Sequence, residues 1–180
     1  MVKRWLAAAI IIAASMFPIT GLAYQQDAIL HVVQRLDLTP EERERIEGIL
    51  AFHEPGLKER VRAVTDARKK ILLKTVNDSD AVVTEEERAV DRLAQARDEA
   101  IAKREQEIRE TLPPQKRARF ELGVQLIEER ARQVQRMNDD FAEGRLGPEV
   151  DLTERLKAIY RDYSKKLDAE VGPATARGAK

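Results

Sequence analysis

The chain has no cysteine. That excludes a disulfide, a thiolate metal centre and a cysteine nucleophile. Aromatic residues make up only 4%, against 36% charged. This balance cannot fill a thick core and suits long solvated helices with narrow apolar seams. No stretch alternates apolar and polar residues with period two, so no sheet is expected. Net charge is also missing, with 32 basic and 32 acidic residues. Lys3 and Arg4 fall within 1–23 and no acid does, so the remainder carries a net −2. A polybasic nucleic-acid binder is excluded on that ground. The catalytic signatures are absent too. There is no G-x-S-x-G, no glycine-rich phosphate loop and no H-E-x-x-H, and the only histidines are His31 and His53. Paired carboxylates such as Glu85–Glu87 and Asp139–Asp140 read as caps or solvated surface, so no enzyme and no cofactor are expected.

What is present begins with an export signal over 1–23. Lys3 and Arg4 form its basic end, Trp5–Ile19 its apolar run with Pro18 inside, and Gly21-Leu22-Ala23 its small-residue end. Cleavage is expected before Tyr24, which places the rest in the periplasm. The run is too short and proline-broken for a comfortable membrane span.

An all-α domain is expected over 24–171, with a flexible tail at 172–180. Ile29, Leu30, Val33 and Leu36 mark a short helix over 25–36. A long helix follows from Pro40 to about Val76. Its seam is Ile46, Leu50, His53, Leu57, Val61 (or Arg60), Val64, Arg68, Ile71 and Thr75. Pro55 predicts a kink or a break in it. Thr84–Glu87 reads as a capping box for a third helix ending near Thr111. That helix points Val90, Leu93, Ala96, Ala100, Ile101, Ile108 and Leu112 inward, with Arg97 and Arg104 on or beside the seam. The fourth helix, Gln115 to about Ala142, has the cleanest stripe, from Phe120, Val124 and Ile127 to Phe141. Gly144 is its stop. A fifth helix is expected over 149–170, carrying Leu152, Leu156, Ile159, Tyr160, Tyr163 and Leu167.

One motif occurs twice. Leu38-Thr39-Pro40-Glu41-Glu42 opens the second helix, and Leu112-Pro113-Pro114-Gln115-Lys116 opens the fourth. Leu38, Pro40, Arg43, Arg45 and Glu47 meet Leu112, Pro114, Arg117, Arg119 and Glu121, and Ile46 meets Phe120. Thr39 and Glu42 form a capping box, while Pro113 stands where the second copy needs a hydroxyl, so its cap is weaker.

This order of elements resembles the Spy/CpxP family of periplasmic stress proteins, which also includes the zinc-associated ZraP and the metal sensor CnrX. Its members carry two L-T-x-x-Q motifs in these places. Here the first copy keeps Leu38, Thr39 and Pro40 but has Glu42 for the final Gln. The second keeps Leu112 and Pro114, loses the Thr and has Gln115 one position early. The resemblance covers roughly 24–142 and leaves the fifth helix unmatched. It implies a bent helical hairpin of four to five helices, paired into a curved, cradle-like homodimer. A self-contained bundle closed by the fifth helix is the structural alternative.

The resemblance further implies an ATP-independent chaperone that holds unfolded envelope proteins on a concave face. The residues offered for that contact are Arg60, Val61, Arg62, Val64, Arg68, Lys69, Lys70 and Ile71 on the second helix. On the third they are Arg97, Ile101, Lys103, Arg104 and Arg109. Basic side chains attract flexible chains, and interleaved apolar ones hold them. The alternatives are a sensor or resistance protein for zinc or another divalent metal, and a regulator restraining a membrane-bound sensor. Without a His-x-x-x-His pair, His31 and His53 read as partly buried side chains before they read as ligands. A site shared between chains, using both with Glu47 or Glu54, stays open.

Overall fold

The computed structural model describes residues 28–78, 82–147 and 149–173. The expected signal segment and cleavage point lie outside these, as does the tail from 174. The described residues are helical, with no strand among them. A short helix α1 spans 28–33. It is followed by α2 (Pro40–Asn77), α3 (Thr84–Thr111), α4 (Pro114–Ala142) and α5 (Leu152–Glu170). The chain divides into two compact units. One is Glu44–Thr111, the α2–α3 hairpin; the other joins the residues up to Arg43 with Leu112 onward.

In the three-helix unit the apolar stripe of α4 collects a core. Phe120, Val124 and Ile127 are buried with Ile29, Val32 and Leu36 from the N-terminal stretch. Leu152, Tyr163, Leu167 and Val171 are buried at the α5 end. Gly123 permits the close crossing of α1 and α4, since a Cβ there would stand 2.5 Å from Cγ1 of Val32. Arg35 ties α1 to α5. Its Nε donates to Oδ1 of Asp168 at 3.0 Å and its Nη1 to the His31 carbonyl at 2.9 Å. Lys166 reaches Glu129 at 2.9 Å. The guanidinium of Arg130 lies 4.5 Å over the Tyr163 ring and 5.3 Å from that of Tyr160, a cation–π stack between α4 and α5.

Local signals explain the boundaries. The Thr39 box closes in both directions: the Glu42 amide donates to the Thr39 hydroxyl at 3.2 Å, and the Thr39 amide to Oε2 of Glu42 at 2.8 Å. Pro113 caps α4 without a side-chain bond, as its missing hydroxyl requires. Gly144 (φ 67°) ends α4 in a left-handed turn. Its amide bonds to Phe141 and that of Arg145 to Asp140, which satisfies the last carbonyls in the Schellman manner.

Several expectations need correction. α2 does not break at Pro55 but continues through it as helix. The proline is exposed, so its ring and missing donor lie on the solvent side while neighbours His53 and Leu57 stay anchored. The seam takes Val61, and Arg60 is exposed. Leu30 is also exposed; the inward residues of α1 are Ala28, Ile29, Val32 and Val33. The Val83 carbonyl accepts the Glu87 amide, so the α3 cap falls one residue before Thr84. α5 starts at Leu152, because Asp151 supplies the cap by accepting the Glu154 amide at 3.1 Å. Gly172 is no loose tail residue. It is buried at φ 136°, 2.9 Å by its virtual Cβ from the Arg35 carbonyl.

Candidate interaction surface

The hairpin unit is built on a thinner seam. Its buried apolar residues among those described are Ile46, Leu57 and Val64 from α2 and Val90 and Ile108 from α3. Ala96 and Ala100 hold half-buried positions of α3 between these, so the two helices are held by few large contacts. Polar ties set their antiparallel register. Nε2 of His53 is 2.8 Å from Oε2 of Glu107. At the other end Lys74 donates to the Val82 carbonyl at 2.9 Å and to Glu86 at 2.5 Å. That ammonium holds the Glu86 carboxyl below its ordinary range, chiefly through the hydrogen bond.

The residues expected to meet a client do not share one status. Arg60, Arg62 and Lys69 are exposed, and so is Lys70. These four make no ion pair among the described residues. Val61, Arg68, Ile71, Ile101 and Arg109 are half-buried, and Arg97 spends its guanidinium on Asp98 at 2.8 Å. Two assignments fall. Val64 is fully buried in the seam, and Arg104 is only 4% exposed, so neither offers its side chain to a partner. The Nε of Arg104 has no hydrogen-bond partner. Burial lowers the affinity of that guanidinium for its proton, with the Glu105 carboxylate opposing. A buried cation with an unsatisfied donor costs stability, which makes the hairpin seam weaker still.

What the sequence reading missed is apolar. Phe52 is 77% exposed, Val82 76%, Leu73 61% and Val76 48%, all in the hairpin. Phe52 is the one aromatic residue of α2 and α3. It precedes seam residue His53 by one position, and that offset was the available signal. Its ring meets the His53 ring edge-on, with centroids 5.2 Å apart. Beside it a groove of about 410 Å³ runs between α2 and α3.

The apolar and proline positions of the repeated motif are structural. Leu38 and Leu112 are buried. Pro40 and Pro114 are first helical residues, and Gln115 is exposed. The aligned positions Glu42 and Lys116 meet each other, Nζ to Oε2 at 2.5 Å, so equivalent first turns of the two copies face one another.

His31 belongs to the three-helix unit and His53 to the hairpin unit. His31 is exposed and contributes only its carbonyl, to Arg35. His53 takes Glu107 as partner, whereas Glu54 pairs with Lys58. Among the described residues no group of three or more His, Asp or Glu side chains could hold an ion. No helix of the described residues is long and apolar enough to cross a membrane. No protein-family model, curated protein or solved structure matches the chain.

Proposed function

We propose that the protein is a periplasmic, non-catalytic chaperone that holds unfolded envelope proteins without ATP, using the exposed face of the α2–α3 hairpin. One observation carries this reading: the hairpin leaves four large apolar side chains, Phe52, Leu73, Val76 and Val82, in solvent, and its exposed Arg60, Arg62, Lys69 and Lys70 make no ion pair among the described residues. Charge draws a flexible chain in, and scattered apolar contacts keep it with low specificity. The sequence resemblance to the Spy/CpxP family supports the same role. The reading includes removal of residues 1–23 and pairing of two copies into a homodimer. A dimer would cover apolar area that a single thin hairpin exposes. Mass spectrometry of the exported protein should find Tyr24 at its N-terminus.

The functional test mixes the purified protein with a slowly aggregating unfolded protein, without nucleotide, in zinc and in chelator. Suppression at near-stoichiometric amounts in both conditions is the expected result. Suppression in zinc alone would overturn the metal-free account, move the function to a metal-tuned one, and make His31 and His53 the first positions to replace. No suppression in either would reject holding and direct the search, by crosslinking, to a membrane-bound signalling partner.

A further inference from the structure

The groove beside Phe52 has the form of a side-chain receptor. Its lining includes small residues, Gly56 on α2 and Ala96 and Ala100 on α3, with buried Leu57 among them. A Cβ built on Gly56 meets nothing within 4 Å, so the space is open down to the backbone. Its volume of about 410 Å³ lies in the range of small-ligand sites and accommodates an aromatic or branched side chain. Phe52 also lines it, 77% exposed and edge-on to the His53 ring.

The charged residues that line the groove are two basic and one acidic: Arg60, Lys103 and Glu99. Glu99 accepts a hydrogen bond from Gln95 at 2.9 Å, and Glu107 is engaged with His53 at 2.8 Å. Arg60 and Lys103 are exposed and have neither hydrogen bond nor ion pair among the described residues. The lining therefore sets two cations, Arg60 on α2 and Lys103 on α3, against the single Glu99 carboxylate, a net positive charge.

We infer that this groove takes a short unfolded peptide segment in which an aromatic or branched apolar residue is flanked by Asp or Glu. The apolar side chain enters over Gly56 and Ala100 against Phe52. The flanking carboxylates meet Arg60 on one side and Lys103 on the other. This deepens the holding reading and rests on it, because it gives the hairpin face a preferred client sequence. A buried aromatic anchor bounded by charge contacts is the usual economy of a recognition site.

The probe is a fluorescein-labelled peptide, Asp-Asp-Leu-Phe-Asp-Asp, titrated with the full protein and read by anisotropy, beside its Lys-for-Asp counterpart. The acidic peptide should bind and the basic one should bind at least about tenfold more weakly, with the difference shrinking in high salt. Phe52→Ala and Gly56→Leu should each weaken the acidic peptide by about tenfold, with unchanged circular dichroism. Arg60→Glu combined with Lys103→Glu should reverse the preference. Native-like binding by both Phe52→Ala and Gly56→Leu overturns the proposal, as does equal binding of the two peptides. Absence of peptide binding together with self-association lost in Phe52→Ala would make the occupant a second copy, and would also overturn it. Aggregation assays on the same variants separate the two readings. Peptide binding without any suppression removes the holding function and leaves the groove standing. Suppression undiminished in both variants leaves holding and removes the groove.

Discussion

The two units spend their apolar residues differently. The three-helix unit gathers Phe120, Ile127, Leu36, Leu167 and Val171 inside. The hairpin unit buries few large side chains, fills its seam with alanine and a desolvated arginine, and leaves Phe52 and Leu73 outside. Interiors gain from dense contact, and each large residue left in water forgoes roughly 1.5–3 kcal/mol. The lesson is a division of labour. One unit spends its hydrophobicity on its own stability, and the other keeps it available at the surface.

The comparison can be broken in four places. The largest effect is expected at Phe120, whose ring is fully buried. Phe120→Ala should cost about 3–5 kcal/mol in urea unfolding followed by circular dichroism. A loss below 1 kcal/mol would deny that α4 carries a dense core.

Next come the arginines. Arg35 is buried with its carboxylate and carbonyl partners, so Arg35→Met should cost about 1–3 kcal/mol. Arg104 is buried with an unsatisfied Nε. Arg104→Met keeps the stem's packing and removes the desolvated charge, and should be neutral or stabilising by about 1 kcal/mol. Equal losses at both would erase the distinction.

Two glycines give a matched pair of smaller effect. Gly123→Ala puts a methyl against Val32 and should cost about 1–3 kcal/mol by overpacking. Gly56→Ala meets open space on a helix and should gain about 0.5–1 kcal/mol. Melting temperatures moving the same way in both would contradict the packing contrast.

The smallest effect is electrostatic. In the three-helix unit the Lys166 hydrogen bond lowers the Glu129 pKa, and the same bond raises that of Lys166. The pair's contribution is complete between the ordinary carboxylate and ordinary lysine ranges. It is lost as acid protonates Glu129 through its lowered pKa, and as base deprotonates Lys166 through its raised one. In the hairpin, Glu86 follows the acid half of this rule through Lys74. Both pairs are solvent-exposed and salt-screened. Glu129→Gln should therefore flatten a shallow acid limb of stability and do little else.

Much of this was legible in the residues. Helix order, the Thr39–Glu42 box, the Gly144 stop and the α2 and α4 seams all rest on local spacing, and local spacing fixes them. What stayed hidden depends on residues far apart in sequence. Asp168 is 133 positions from Arg35, and nothing near either announces the pair. The burial of Gly172 against the Arg35 carbonyl is of the same kind. In the candidate surface, Arg104 reads both as a residue on or beside the α3 seam and as a client contact, and its burial decides for the seam. Phe52 falls one position off the seam and stands exposed. Angular position around the helix decides exposure in both cases.

The central claim is that the hairpin, and not the three-helix unit, meets the client. Amide hydrogen exchange of the protein with and without a bound unfolded client tests it directly. The account predicts added protection within 52–76 and 96–104 and none within 112–173. Protection concentrated in α4 and α5, with the hairpin unchanged, would contradict it.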